Sequence, residues 1–112
     1  MINRALAVIA FSTISTQAPG QVPTSDDIMA WPMQAREQFL FTTGEAYGWA
    51  NAALSGAKQP LLFCAPKEFA FSKGQYELIL TNHLRKFPHR RDLPASMVLL
   101  KALQEVFACP KN

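Results

Sequence analysis

The sequence contains few of the residues that most often perform catalysis or bind metals. Only two histidines and two cysteines occur among its 112 residues. The motifs G-x-S-x-G, H-E-x-x-H and C-x-x-C are absent, and so is a phosphate-binding loop. These absences predict a protein that is not an enzyme, with no catalytic residues, no metal site and no cofactor.

The two histidines do not form a recognisable ligand pair. His83 and His89 are six residues apart, on either side of a predicted helix end and a proline, which is not the spacing of ligands on one helical face. A cation is mildly favoured near a helix C-terminus, because the helix dipole is negative there. We therefore interpret both side chains as surface histidines.

Long apolar runs and a strong net charge are also missing. No apolar run approaches ~20 residues, so we expect no permanent membrane span and no membrane partner. The formal net charge is +3, and a charge this small does not indicate a nucleic-acid partner. A chain of 112 residues with 49% hydrophobic residues is typical of one globular domain.

The first residues have the features of a secretory signal. Arg4 supplies a positive charge, residues 5–14 form a short apolar segment, and Ala18 follows in a context of small residues. We predict a signal peptide at residues 1–18, a single helical domain at residues 19–112, and export to the periplasm. The alternative is an amphipathic first helix that remains in the fold.

The two cysteines have similar surroundings. Each follows an apolar run that contains an aromatic residue, and each is closely followed by proline. This placement predicts a Cys64–Cys109 disulfide that ties the end of the chain to the loop before the last two helices. Closing a loop of about 45 residues stabilises a fold by roughly 4 kcal/mol in the chain-entropy model. Disulfides persist in oxidising compartments, so the pair independently favours export.

Apolar periodicity and capping residues predict four helices. Ser25 and the acidic residues after it begin a short helix, and a long helix is expected at about residues 32–54. Ser72 and Gln75 form an S-x-x-Q capping box at the start of the third helix. Asp92 is expected to cap the fourth. No segment has the pattern of a β-strand, so the predicted fold class is all-α, a small disulfide-clasped bundle of about four helices.

The long predicted helix carries small residues on one face. Gly44, Gly48 and Ala52 recur at a spacing of four. Glycine costs a helix about 1 kcal/mol relative to alanine, so two glycines suggest a packing reason. We expect this face to form a groove that lets another helix of the same chain approach closely. The alternative is that the groove joins two copies in a homodimer or binds a partner.

A basic segment joins the last two predicted helices. We name residues 85–91 the basic turn. It is the candidate partner-binding surface, which would dock on an acidic partner surface. The alternative is a solvated turn with cations at a helix C-terminus. Its candidate residues are Arg85, Lys86, His89, Arg90 and Arg91.

Three large aromatic residues are further candidates for recognition. Trp31, Tyr47 and Trp49 lie in or before the long helix. Aromatic side chains dominate both protein cores and protein interfaces. In a protein of this size we expect at least two of the three to lie in the core.

The cysteine contexts resemble those of the Rap/Tai-type immunity proteins. The similar segments are F-C-x-P at residues 63–66, a helix ending at a proline at residues 84–88, and A-L-x-x-x-F-x-C at residues 102–109. The glycine-containing segment at residues 47–52 is also similar to the helix that precedes the family's first cysteine. The resemblance covers about residues 25–110. One difference is that proline follows the second cysteine here, whereas the family pattern has proline before it.

This resemblance implies a periplasmic immunity protein. Its partner would be a cognate toxin, or effector, delivered by a type VI secretion system, and the best-known family members bind a peptidoglycan amidase. The resemblance transfers no contact residues, because no contact motif can be matched position by position. The alternative function, from a different class, is a small periplasmic helical chaperone or stress protein.

Overall fold

Four α-helices and one 3₁₀ helix make up the part of the chain that the computed structural model describes, residues 22–66 and 71–111. These described residues contain no β-strand, only an isolated antiparallel bridge between Thr24 and Pro94. The predicted all-α bundle is therefore confirmed, while the predicted signal peptide at residues 1–18 lies outside the described residues. In chain order the elements are α1 (Ser25–Met29), α2 (Met33–Gly56), α3 (Lys73–Lys86), the 3₁₀ helix (Pro88–Asp92) and α4 (Ala95–Val106).

Side-chain caps begin α1 and α3. At α3 the predicted capping box is present: the backbone N–H of Ser72 donates to Gln75 Oε1 at 2.6 Å, and the Ser72 side chain accepts from the backbone of Gln75. At α1 the cap is Thr24 instead of Ser25. Its Oγ1 accepts from the backbone of Asp27 at 3.1 Å, and Asp27 Oδ2 accepts from the backbone of Thr24 at 3.0 Å.

The prediction that Asp92 caps α4 is wrong. Asp92 is the last residue of the 3₁₀ helix, and Pro94 occupies the N-cap position of α4 without a side-chain cap. The backbone N–H of Ala95 donates to the carbonyl of Pro23 at 2.9 Å instead. A strand-like contact with the chain before α1 therefore satisfies a donor that the sequence alone assigns to a side chain.

The core lies where α2, α3 and α4 meet. α2 contributes one buried leucine, and α3 and α4 contribute two each, while α1 and the loop after α2 add Ile28 and Phe63. Fully buried apolar side chains of this kind are the main favourable term in folding. The principal buried residues are Ile28, Leu40, Phe63, Tyr76, Leu80, Leu84, Val98, Leu99 and Leu103.

The predicted disulfide is present. Cys64 and Cys109, 45 residues apart in sequence, are bonded with 4.9 Å between their Cα atoms. Beside the bond, the backbone N–H of Cys64 donates to the carbonyl of Phe107 at 2.7 Å. The ring of Phe107 lies 6.5 Å from that of Phe63, centroid to centroid. The disulfide thus holds the loop after α2 against the end of α4.

Replacing both cysteines by alanine should lower the free energy of unfolding by roughly 4 kcal/mol, because the unfolded chain regains the entropy of an open loop. Urea denaturation of the oxidised protein and of the Cys64→Ala/Cys109→Ala variant measures this difference. A reducing agent should destabilise the wild-type protein and leave the variant unchanged. Equal stability of the two proteins in the absence of reductant would contradict the prediction.

The glycine-bearing face of α2 packs inside the molecule at one position. Gly44 is buried, and a Cβ added there would overlap the ring of Tyr76 on α3. At Gly48 an added Cβ meets no heavy atom of the described residues within 4 Å, and Ala52 is exposed. The expected close approach of another helix of the same chain therefore holds at Gly44 and not along the rest of the face.

Alanine substitutions at the two glycines should change stability in opposite directions. Gly44→Ala should destabilise by about 1–3 kcal/mol, because the new methyl group forces the Tyr76 ring to move. Gly48→Ala should stabilise by up to about 1 kcal/mol, because alanine is the better helix former and the site is open. Thermal and urea unfolding of both variants measure the effects. Destabilisation by Gly48→Ala would show that this face is covered.

Candidate partner-binding surface

The basic turn lies at the junction of α3 and the 3₁₀ helix. Its first residues end α3, and Pro88 begins the 3₁₀ helix, where its fixed φ suits a first helical position and its missing N–H is not needed. The backbone N–H of Phe87 donates to the carbonyl of His83 at 2.9 Å, and the N–H of Arg90 donates to the carbonyl of Phe87 at 3.0 Å. The backbone of the turn is therefore ordered by its own hydrogen bonds.

Arg85 and Lys86 are exposed at the end of α3. Arg85 Nη1 donates to Asn82 Oδ1 at 3.0 Å. Among the described residues, no carboxylate forms an ion pair with the Arg85 guanidinium. Lys86 Nζ lies 3.4 Å from Glu105 Oε2 on α4. Exposed ion pairs of this kind contribute about 0–1 kcal/mol, so both side chains can turn to a partner at little cost.

Arg91 and His89 occupy the 3₁₀ helix and are also exposed. Arg91 Nη1 lies 3.4 Å from Asp26 Oδ1 on α1, again an exposed pair. The ring of His89 lies edge-on to Phe87 at 6.2 Å between centroids. The turn thus presents Arg91 beside α1, whereas Lys86 lies beside α4.

Arg90 differs from the other candidate residues because it is half-buried within the fold. Its Nη1 is 2.7 Å from Nε2 of His83, and its Cζ lies 4.4 Å from the centroid of the Phe87 ring. A guanidinium over an aromatic face gains a cation–π attraction. Arg90 therefore holds the basic turn in place, whereas Arg85, Lys86, His89 and Arg91 are available at the surface.

The interpretation of His83 as a surface histidine is wrong. Its side chain is only 3% exposed, and its Nδ1 lies 2.9 Å from Oε1 of Glu105. The sequence contains the signal for this burial, because position 83 follows Tyr76 and Leu80 along the buried row of α3. His89, interpreted in the same way, is exposed.

The contacts of His83 determine which ring nitrogen carries its proton. A guanidinium has donors and no acceptor, so Nε2 of His83 must accept from Arg90. The proton therefore lies on Nδ1, which donates to Glu105. This is the neutral imidazole, held between a cation and a carboxylate.

Glu105 also belongs to this surface, although no sequence pattern singles it out. It lies in the last turn of α4, where its carboxylate accepts from His83 and from Lys86. The hydrogen bond from His83, together with the hydrogen bond and charge of Lys86, lowers the pKa of Glu105 below its usual value. Only the packing of α4 on α3 brings these residues together.

A shallow groove of about 410 Å³ lies beside this network. Ile79 and the exposed Val106 provide apolar surface, and Arg85 and Lys86 line it with two positive charges against the one negative charge of Glu105. An apolar surface with a charged margin is the usual composition of a protein-binding site. The arrangement can therefore receive a partner segment that combines an apolar side chain with a carboxylate.

The three candidate aromatic residues have different positions. Trp31 packs against the core, with its ring edge-on to Phe39 at 5.6 Å. The hydroxyl of Tyr47 donates to the carbonyl of Ser96 at 2.7 Å, and burial raises the pKa of Tyr47. Trp49 is 77% exposed on the outer face of α2. The expectation that at least two of them pack in the core is thus met by Trp31 and Tyr47.

Within residues 22–66 and 71–111, no group of three or more histidine, cysteine, aspartate or glutamate side chains is placed to hold a metal ion. In the same residues, no helix is both long and apolar enough to cross a membrane.

In comparisons with protein-family models, curated proteins and solved structures, nothing matches this chain.

Replacing Glu105 by glutamine should destabilise the protein in a pH-dependent way. Because the pKa of Glu105 is lowered in the folded state, the folded protein favours the carboxylate more than the unfolded chain does. The resulting stabilisation is fully present above the carboxyl group's unfolded pKa, about 4.3. It is lost as the pH falls through the lower folded value. Urea denaturation of wild type and Glu105→Gln from pH 7 downwards should show a stability difference that disappears in acid.

Asp92→Asn is the matched control, since it removes an exposed carboxyl group from the neighbouring 3₁₀ helix. Its stability difference from wild type should stay small across the same pH range. A Glu105→Gln difference that remains constant into acid would contradict the proposed origin of the stabilisation.

Proposed function

We propose that this chain is an exported immunity protein that binds and neutralises a toxin delivered by a type VI secretion system. The proposed toxin is a peptidoglycan amidase, and the proposed compartment is the periplasm, where such an enzyme reaches its substrate. The activity is inhibition through protein binding, with no catalytic step by this chain.

The observation that carries the proposal is the Cys64–Cys109 disulfide, since both cysteines lie in the sequence contexts that resemble the Rap/Tai-type immunity proteins. The bond joins the F-C-x-P segment at residues 63–66 to the A-L-x-x-x-F-x-C segment at residues 102–109. A structural disulfide is typical of proteins that fold in an oxidising compartment. The family resemblance and the presence of a disulfide thus both support the proposed location in the periplasm.

Local order around the disulfide favours an inhibitor. Asn51 Nδ2 donates to the carbonyl of Phe63 at 2.9 Å, while its Oδ1 accepts from the backbone of Leu62 at 2.7 Å. Gln104 Nε2 donates to the carbonyl of Leu62 at 3.2 Å. This order reaches the end of α4, which lines the groove beside the basic turn at Glu105 and Val106. A surface that is already ordered loses little conformational entropy on binding, which raises affinity for a given contact area.

Charge identifies the surface that we propose for the contact. The basic turn presents Arg85, Lys86 and Arg91, whose hydrogen bonds and ion pairs within the chain are exposed. Positive charge on one partner speeds association with an acidic surface and disfavours basic competitors. The adjoining groove adds apolar area at Ile79 and Val106. We therefore assign the proposed contact to an acidic rim of the amidase cleft.

Co-expression tests the proposed function. The full chain should restore growth to cells that carry, in the periplasm, a peptidoglycan amidase of the type VI secretion system encoded in the same genome. The two proteins should also elute as one complex from a size-exclusion column. A chain that begins after residue 18 remains in the cytoplasm and should not protect. Absence of both rescue and complex with every such amidase would contradict the proposal.

A charge reversal tests the proposed surface. In a purified complex, Arg85→Glu should weaken binding by about tenfold or more, because it places a carboxylate against an acidic surface. Lys73→Glu is the matched control: it reverses an exposed charge at the other end of α3, about 20 Å away. Titration calorimetry of both variants measures the dissociation constants. Equal effects of the two reversals would exclude the basic turn as the contact surface.

A further inference from the structure

His83 is the buried titratable group that connects α3, α4 and the basic turn. Both of its ring nitrogens have a partner: Glu105 Oε1 lies 2.9 Å from Nδ1, and Arg90 Nη1 lies 2.7 Å from Nε2. The two contacts require different things of the ring. Glu105 accepts a hydrogen bond from Nδ1–H in either charge state of the ring, whereas Arg90 needs the lone pair on Nε2 that only neutral imidazole offers.

Few other groups hold Arg90 in place. Within the described residues no carboxylate oxygen lies within 4 Å of its guanidinium. What remains is the face of Phe87, 4.4 Å away, which is itself packed against the His83 ring at 4.8 Å between centroids. The position of the Arg90 side chain therefore depends on the charge state of His83.

The charged groups around His83 come from each element packed against it. Arg85 and Lys86 lie on its own helix, Arg90 lies on the 3₁₀ helix, and Glu105 lies on α4. Three cations and a single carboxylate therefore surround the ring. Because the carboxylate remains paired with Nδ1 in both charge states, the contact that changes on protonation is the one at Nε2.

We propose that His83 is an acid-operated latch on the basic turn. Neutral His83 holds Arg90 against α3. When Nε2 takes up a proton from water, the imidazolium N–H faces a guanidinium N–H, so two donors and two positive charges oppose each other. Arg90 then leaves the ring and turns to solvent, while Glu105 keeps its hydrogen bond to Nδ1. Acid thus adds an exposed cation to the surface and loosens the turn.

This device regulates the proposed contact surface, and it rests on the proposed function only for its biological use. Its tests measure the protonation of the His83 ring and the signals of Arg90 and Phe87 in the isolated full chain. If the chain binds no toxin, the latch is not contradicted. If the latch is contradicted, the proposed toxin binding is unaffected. The two proposals can therefore be contradicted separately.

Nuclear magnetic resonance of the ¹⁵N-labelled full chain tests the latch directly. At pH 7.5 the ring of His83 should carry its proton on Nδ1, with an unprotonated Nε2. On acidification, the signals of the Arg90 guanidinium and the Phe87 ring should change together with protonation of His83. A proton on Nε2 at pH 7.5, or Arg90 signals that do not follow His83, would overturn the proposal.

Variants that keep His83 supply a second test, because two of them should shift the midpoint of the His83 titration in opposite directions. Arg90→Met retains an apolar side chain over Phe87 but removes the donor and its charge, so the midpoint of the His83 titration should rise. Glu105→Gln removes the carboxylate, so the midpoint should fall. His89→Gln changes the exposed histidine of the same turn and should leave the midpoint of His83 unchanged. A midpoint that does not rise in Arg90→Met would overturn the latch.

Discussion

The disulfide between Cys64 and Cys109 is the constraint on which the arrangement of the helices depends. It joins the loop after α2 to the segment after α4, so the last helix is held at both ends: by the bond at one end and by the backbone contact of Ala95 with Pro23 at the other. A bundle of about 90 residues buries a limited core. Here a covalent bond supplements burial, where a larger domain relies on burial alone.

The same bond determines the position of the polar network on the surface. Cys109 lies four residues after Glu105, so fixing the end of α4 also fixes the carboxylate that contacts His83. His83 in turn contacts Arg90, which belongs to the basic turn. The covalent bond, the buried histidine and the exposed cations thus form one connected series of contacts from the end of the chain to the candidate binding surface.

The proposed function gives this series a purpose. An inhibitor gains affinity when its binding surface is ordered before it meets the target. In this protein Arg90 orders the turn, while Arg85 and Lys86 remain exposed in contacts that contribute little to stability. Structural roles and the proposed recognition roles are therefore divided among neighbouring residues of one short segment. The exposed Trp49 lies on α2, outside this segment.

Local sequence patterns were enough to predict the helices, the capping box of Ser72 and Gln75, and the disulfide, because each of these depends on residues with strong local or chemical preferences. They also located the basic turn. Contacts between distant segments account for the remaining features. The cap expected from Asp92 is replaced by a backbone contact with Pro23, a residue far away in sequence.

The sequence likewise did not show that Arg90 is half-buried while the other cations are exposed, because all of them lie in one basic segment. Burial of His83 followed the apolar row of α3, but its partner Glu105 comes from another helix, 22 residues later. Local patterns fix which segments become helices and which face is apolar. The packing of one helix on another determines which polar groups are removed from water and therefore need hydrogen-bond partners within the protein. Those partners are far apart in sequence, so local sequence patterns do not predict the pairing.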